Sequence, residues 1–589
     1  MSNWAKMQAM LKSAPSSSAP SSSSFSGSSK PKKRPRPQEH ESSDGTSRSY
    51  ATLAGRGGSA GGNSSASGAG KPQPFVPAPN APALLEPGMQ HYEEVMQRCF
   101  KGFVKQPADA LPPGLDRRVI QALERLKEAR LFHHDVVTNG GIRLGATVVR
   151  RILVGEPGIT YKYLGLRTFA HPWRGEGARK ELAPMLELNE LMTTSTRKLL
   201  AKGHGVGHAG SCAYNLSLVN LLEPSDARGG ALRNRAGEKL GTGSLAVSWH
   251  ADSSVQPASS IAVVNLTLPY HKKSSSQQMP WRIAMKCVGE GHEPDKPSGG
   301  VGSSGVRKAG TPAVAVPLSA SETYYLLGEF NDHHHHAVLA GDAPRYSSTH
   351  RVGVVASDTW KYISDRCAEA LPAGPAGAPP SFTQGAVLRA AQLRLVEEVH
   401  SEVEFEWLRP WGVQGRTHAE THKGYWQPRL ERLERTWRQF EARTAAHLAF
   451  LVAASTAPPE QAAKQLPEGV RCFDVLLGLL TKREGMATDA KQQGRAGWRA
   501  RAASREYKGL PQGSQPFPFP SPLPAGMTLA EVDERAASDS MLANLAMPDE
   551  ALATSIGTLT RARAAFVKSA ACQPSNGYGS LPAKKKQHR

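Results

Sequence analysis

The residues whose types and spacing could do chemistry begin with His250-Ala-Asp252, which closes the apolar run Leu245-Ala-Val-Ser-Trp-His250. Side chains alternate across a strand, so an imidazole and a carboxylate two residues apart aim to the same side and offer two metal ligands there. A third can come from His333-His-His-His336, directly ahead of the apolar Ala337-Val-Leu-Ala340. A ligand belongs where the strand begins and meets the core, which favours His336; His334 shares its side and is the second choice. Two histidines and one carboxylate would occupy one face of Fe(II), leaving three adjacent positions for a chelating cosubstrate and O2. Nine residues on, Arg345-Tyr-Ser-Ser-Thr-His-Arg351 sets two guanidiniums six apart, on one face of a strand. Buried guanidiniums need anions, and a dicarboxylate supplies two, one for a bidentate pair and one near the metal.

Such a constellation needs a sheet to hold it. From Ala213 to Val355 the chain is a series of eight short β-branched and aromatic runs separated by Gly, Pro and Ser, the pattern of a sandwich or jelly-roll barrel. The polar stretches 272–278 and 289–310 read as surface insertions. Ahead of the series, residues from Pro87 to Phe132 carry two helical patterns, the second opened by Pro112, Pro113 and Asp116. Two strands around Arg151 and Tyr161 flank Glu156-Pro-Gly158, which predicts a hairpin. Another helix is expected in Glu181–Gly203. From Phe382 the apolar period becomes helical, with long segments around Leu393, across Trp426–Ser455 and at Val475–Leu480. Phe517-Pro-Phe-Pro-Ser-Pro-Leu-Pro524 reads as an extended strap, followed by a helix from Thr528. The fold class is α+β: a jelly-roll catalytic domain over 85–380 with flanking helices and a lid hairpin, then an all-α bundle over 381–546. Residues 1–84 read as a disordered Ser/Gly-rich basic tail, and 547–589 as a second basic tail.

The net charge of +21, in 589 residues, suggests nucleic acid until it is located. Residues 1–80 hold 10 basic and 3 acidic side chains, and 559–589 hold 7 basic and none acidic, so the ends supply two-thirds of the excess. Within the first tail, Lys30-Pro-Lys-Lys-Arg-Pro-Arg36 has the form of a nuclear import signal, placing the chain in the nucleus and also in the cytoplasm. No run approaches the roughly 18 apolar residues of a membrane span, and the start lacks a secretory leader, so a soluble intracellular protein is expected. Cys99, Cys212, Cys287, Cys367, Cys472 and Cys572 form no CxxC pair and read as reduced thiols.

The order HxD, distant His, then Arg-x5-Arg resembles the AlkB class of Fe(II)- and 2-oxoglutarate-dependent nucleic-acid demethylases. Arg151-ILVGEPGITYKY-Leu164, Val247-SWHADS-Ser254, His336-AVLAGDAPRYSSTHR-Val352 and His400-SEVEFEWLRP-Trp411 are similar, in the same order, to the fat-mass-and-obesity-associated (FTO) type within it. The similarity spans about residues 87 to 545. It implies iron ligands His250, Asp252 and His336, with no catalytic residue beyond them. It implies that Arg345, helped by Tyr324, pairs with the far carboxylate of 2-oxoglutarate, while Asn220 and Arg351 bind its metal-side end. Substrate contacts would come from Arg151, Tyr161, Tyr163, Leu164 and Trp249, with Tyr163 stacking on the base and Arg151 donating to its edge. Ser253 stands where that type has an acidic residue, and the Arg- and Gly-rich stretch Ser225–Gly243 also diverges, which bears on the preferred base. The implied reaction is oxidative removal of a base N-methyl group from single-stranded RNA or DNA, with Fe(II), 2-oxoglutarate and O2. N6-methyladenosine comes first, then N3-methyluracil and N3-methylthymine; succinate, CO2 and formaldehyde are released. A protein hydroxylase would keep the triad without the Arg151 and Tyr163 lid. A non-catalytic reader of methylated RNA would have no need of the triad.

Overall fold

A computed structural model describes residues 84–133, 135–139, 143–146, 149–163, 165–223, 245–268, 279–288, 311–371, 389–414, 416–456, 458–503 and 549–571. The basic cluster 30–36, both insertions, the loop 225–243, the strap 517–524, the helix expected from Thr528 and Leu164 lie outside them. The helices are α1 (Tyr92–Cys99), α2 (Leu115–Glu128), α3 (Ala183–Ala201), α4 (Phe330–His333), α5 (Trp360–Ala370), α6 (Ala390–Glu402), α7 (Arg409–Gln414), α8 (Arg416–Thr421), α9 (Trp426–Ala454), α10 (Pro459–Ala503) and α11 (Asp549–Ala571). The first eight strands are β1 (Leu84–Leu85), β2 (Phe103–Gln106), β3 (Val136–Asn139), β4 (Arg143–Ala146), β5 (Arg150–Gly155), β6 (Thr160–Tyr163), β7 (Leu166–Phe169) and β8 (His171–Pro172). The rest are β9 (Leu216–Leu222), β10 (Leu245–His250), β11 (Ile261–Thr267), β12 (Trp281–Cys287), β13 (Ala313–Leu318), β14 (Thr323–Leu326), β15 (His334–Leu339) and β16 (Arg345–Arg351).

The chain divides into two compact units. The first runs to Gly353, without 158–161 and 166–169, and holds two sheets in the orders β2-β14-β11-β16-β9-β5-β8 and β1-β13-β12-β15-β10. Strand alternation explains the layering. Ile152, Val154, Val219, Leu221, Ala262, Val264, Tyr325 and Tyr346 turn outward from the larger sheet and meet Val119, Leu123 and Leu126 of α2 and Met185, Leu188 and Met192 of α3. The opposite set, Ile261, Val263, Tyr324 and Leu326, meets Ile283, Met285, Val314 and Val316 of the smaller sheet. Helix α2 forms because Leu115, Val119, Ala122, Leu123 and Leu126 recur on one face, with Asp116 in its first turn and Arg125 and Lys127 in its last. Each fully buried Leu or Val in these layers contributes about 1.5–3 kcal/mol.

The sequence-based hairpin is corrected by the pairing. β5 bonds to β9 and β8, whereas β6 pairs with β7, so Glu156-Pro-Gly158 is not the turn of a hairpin. Instead the chain after Gly158 is captured by the second unit, where Trp360 N–H donates to the Gly158 carbonyl (2.7 Å) and Thr160 N–H to the Asp358 carbonyl (2.8 Å). That unit holds 158–161, 166–169 and everything from Val354, so its boundary falls well before residue 380. It also claims α11. Leu552, Leu559, Ala562 and Phe566 lie buried against Cys472, Phe473, Leu476 and Leu480 of α10, so 549–571 is part of the bundle and not of a basic tail. No helix among the described residues is long and apolar enough to cross a membrane, and their five cysteines are unbridged.

Candidate active site

β10 and β15 are antiparallel neighbours with His250 opposite His336, and Asp252 follows two residues beyond the strand end. One ligand-type atom from each of the three lies within 4.8 Å of the others. His250 Nδ1–H donates to the Ser248 carbonyl (2.7 Å), which leaves Nε2, 3.7 Å from Asp252 Oδ1, with its lone pair toward the group. The two imidazole centroids are 4.3 Å apart. Burial, together with the neighbouring His250, pulls the pKa of His336 down to about 3, so it presents the neutral form that a metal needs.

Asp252 is held from two directions. Its backbone N–H donates to Asn331 Oδ1 (2.9 Å) and its carbonyl accepts from Asn331 Nδ2 (2.8 Å). Its carboxylate accepts a bidentate pair from Arg351, Nε at 2.8 Å and Nη2 at 2.7 Å. Burial alone would raise this carboxyl, but the charge of Arg351 and the two histidines hold it well below the usual carboxylate range. Arg351 is therefore the counterion of Asp252, the partner it has in place of a cosubstrate carboxylate.

Arg345 is a buried donor suited to an anion. It is fully buried, its guanidinium lies 5.0 Å from the Trp281 ring centre, and none of its three nitrogens has a hydrogen-bond partner. Burial pulls its pKa down to about 10, partly offset by Tyr324, whose own phenol is raised by burial to about 12. An unpaired buried guanidinium is costly unless a carboxylate completes it. Register puts Asn220 opposite Ser347, between Arg345 and Arg351, and puts Arg151 opposite Asn220, so all four project from the same face. The two-histidine, one-carboxylate donor set fits Fe(II), and the buried guanidinium of Arg345 suits a carboxylate such as those of 2-oxoglutarate.

Of the expected substrate residues, Arg151 and Tyr163 come together, with the guanidinium carbon 4.3 Å from the ring centroid. Tyr161 does not join them: it is almost wholly buried and belongs to the second unit. Nor does Trp249, which packs on Leu84, Ala284 and Ala337 on the outer face of the smaller sheet, with Lys286 Nζ 4.9 Å from its ring centre. Alternation from His250 turns Trp249 to that outer face, against the substrate role that the family resemblance implied for it. Ser253 is exposed beside Asp252. His334, the alternative ligand, is occupied elsewhere, its ring nitrogens lying 2.9 and 2.8 Å from the carbonyl oxygens of Phe330 and Cys99. Sequence reasoning missed Asn331 and also Asp135, which faces Arg151; neither sits in a pattern that would mark it.

A second group, His400, Glu404 and Glu441, has metal-like spacing in the helical unit. Arg483 Nη2 stands 2.9, 2.6 and 2.5 Å from their nearest atoms, so a guanidinium already fills the cation's place there.

Comparison with known proteins agrees with this geometry. A family model described as the FTO catalytic domain matches residues 90–354, and one for the FTO C-terminal domain matches 358–529. Over 460 residues the chain is 27% identical to the alpha-ketoglutarate-dependent dioxygenase FTO of Xenopus laevis, covering 72% of this chain and 85% of that one. Among solved structures, the non-heme alpha-ketoglutarate-dependent epimerase SnoN from nogalamycin biosynthesis (16% identity, TM-score 0.22, 50% of this chain and 94% of that one) is similar at a level too low to argue from. So is E. coli ycfD (12% identity, TM-score 0.14, 55% of this chain and 71% of that one). With both domain models matched in order, and with a two-histidine, one-carboxylate triad in the first unit, the chain belongs to the FTO family and is an alpha-ketoglutarate-dependent dioxygenase using Fe(II), 2-oxoglutarate and O2.

Proposed function

We propose that the enzyme removes N-methyl groups from bases in single-stranded RNA, N6-methyladenosine first, with N3-methyluracil and N3-methylthymine as further substrates and single-stranded DNA as a further carrier. The observation that carries this is Arg151 laid over the Tyr163 ring on the same sheet face as the cosubstrate row. A flat ring beside a charged donor suits an unstacked base, which needs a π-face and a hydrogen bond at its edge. A peptide side chain has no comparable use for the pair. His250, Asp252 and His336 would hold the iron, and Arg345, Tyr324, Asn220 and Arg351 would orient 2-oxoglutarate. Bound together with O2, these supply the oxidation of N–CH3 to N–CH2OH, which departs as formaldehyde while 2-oxoglutarate becomes succinate and CO2. The protein's part is to place the methyl group over the triad and keep water away. Lys30–Arg36 supports delivery to the nucleus.

The test is aerobic turnover with Fe(II), 2-oxoglutarate and a panel of methylated oligonucleotides, read as nucleosides by mass spectrometry, beside His250→Ala and Asp252→Ala. Methyl loss that needs the intact triad is expected, and the favoured base reports on the exposed Ser253. Succinate without any nucleoside change would move the substrate to protein side chains. Binding of methylated RNA without either product would leave a reader.

A further inference from the structure

Asp135 is a carboxylate that the reading so far does not use. The segment carrying it is tied to β5 by two backbone hydrogen bonds: His133 N–H to the Arg151 carbonyl (2.9 Å) and Arg151 N–H to the His133 carbonyl (2.8 Å). Two residues on, Asp135 is only 6% exposed, and its Oδ2 lies 3.3 Å from Arg151 Nε. Arg151 itself is 6% exposed and caps the Tyr163 ring. The contact is an ion pair at Nε, the inner end of the guanidinium, without the geometry of a hydrogen bond, so Asp135 acts on Arg151 through its charge. A buried carboxylate is costly to keep, and replacing this pair by apolar side chains would cost the fold little, so its presence is better explained by orientation than by stability.

We propose that Asp135 is a positioning residue for substrate recognition: its charge holds the Arg151 guanidinium over Tyr163, so that the guanidinium meets the acceptor edge of a base in the pocket. This rests on Arg151 contacting the base. The groups facing the pair are Tyr163 from the hairpin tip, His133 from the segment's own bridge, Asn220 from β9 and Arg351 from β16. Burial raises the Asp135 carboxyl to about 6 in spite of Arg151, so it is ionised at neutral pH and loses its hold on Arg151 just below it.

The experiment uses the full chain and a single-stranded RNA oligonucleotide carrying one N6-methyladenosine. Asp135→Asn is expected to raise KM about tenfold with kcat within about twofold, and Asp135→Glu to restore most of it. In the parent, KM should rise as pH falls from 7.5 to 5.5, and in Asp135→Asn that dependence should flatten. Retention of the thermal shift given by 2-oxoglutarate with Mn(II) shows that the barrel is intact. In the double variant with Arg151→Met, Asp135→Asn should add nothing to the loss caused by Arg151→Met alone. If Arg151→Met is impaired but Asp135→Asn shifts KM less than twofold, or the two effects add, the positioning role is overturned. If Arg151→Met itself leaves KM unchanged, it is the base-contact reading that fails. Loss of the Mn(II) and 2-oxoglutarate shift in Asp135→Asn would make the residue a structural support and also overturn the proposal.

Discussion

The role proposed for Arg345, pairing with the far carboxylate of 2-oxoglutarate, can be separated by experiment from any role in folding. Arg345→Met should leave the thermal midpoint of the cosubstrate-free protein unchanged or raised, because a buried unpaired guanidinium is replaced by a side chain suited to the site. The same variant should lose the 2-oxoglutarate thermal shift and raise the KM for 2-oxoglutarate by about two orders of magnitude. A drop in intrinsic stability with cosubstrate binding intact would show a structural role instead. The second residue-scale prediction concerns protons. His350 is fully buried, its Nδ1–H donating to Asn189 (2.8 Å) and its Nε2 facing Ser348 Oγ (3.1 Å), and burial pulls its pKa down to about 3. Burial does the same to His171 and His336. The unfolded chain takes up protons near 6.5 that the folded chain refuses until about 3, so stability is lost as pH falls through that window. For His350 the loss is about 2 kcal/mol at pH 5 relative to neutral. Asp135, raised to about 6, runs the opposite way and gains stability on acidification. Urea midpoints from pH 7 to 5 should therefore fall less in His350→Gln than in the parent; equal slopes would refute the assignment. At this scale the sequence was most legible where alternation holds locally: HxD closes β10 past its bulge, His336 stands on β15 and Arg-x5-Arg on the regular β16. Trp249 was placed by resemblance although alternation from His250 turns it to the other face, and Asn331 and Asp135 act from segments without a period, so nothing in the pattern could place those two.

Elements were legible in kind but not always in partner. Pro157-Gly158 has turn chemistry, and turn chemistry is local; which strands then pair is decided by what each can bury. β5 is buried along almost its whole length between β9 and β8, while the Gly158–Tyr161 segment finds acceptors and donors around Asp358 to Trp360. The stem of the β6–β7 hairpin is then fixed inside the second unit by Arg167. Its Nε donates to the Glu406 carbonyl (2.7 Å) and its Nη1 to Thr160 Oγ1 (2.6 Å) and Asp358 Oδ1 (3.0 Å), with the guanidinium 4.1 Å from the Trp407 ring centre. Phe169 follows it into a nest of Trp411 and Trp426, with centroids at 5.0 and 5.1 Å. Arg167→Met keeps the apolar stem but strands Asp358, which is 3% exposed, and should cost about 3–5 kcal/mol in urea unfolding of the full chain. Adding Asp358→Asn should return part of it, since the stranded charge is the main cost. A single-variant loss under about 1 kcal/mol would mean that the pair breaks even against its desolvation.

Across the whole molecule, charge counting gave the wrong account of the C-terminal end. Residues from 559 onward carry seven basic and no acidic side chains, which reads as a tail, yet Leu552, Leu559, Ala562, Phe566 and Ala570 lie along one buried face of α11. Basic groups such as Arg563, which reaches Asp474, occupy other positions on the same helix. A count of charge cannot see a stripe, whereas a period of 3.6 can. The stripe is locked to α10 at Gly469, where an added Cβ would meet the Phe566 ring at 2.6 Å, so a helix-weakening glycine is retained inside α10 to let a ring nearly a hundred residues away lie against its backbone. Two opposing single changes should reveal the lock. Gly469→Ala removes a poor helix former but drives a methyl into Phe566, and should cost about 1–3 kcal/mol by overpacking. Phe566→Ala opens a cavity and should cost about 3–5 kcal/mol. In the double variant the alanine methyl occupies space the ring has vacated and the helix regains its propensity, so the loss should be clearly smaller than the sum, and smaller than for Phe566→Ala alone. Additive losses in chemical unfolding would mean that α11 is not seated on α10 at this point. The coupling would establish 549–571 as part of the helical core, since a tail residue cannot make a substitution at 469 either harmful or neutral.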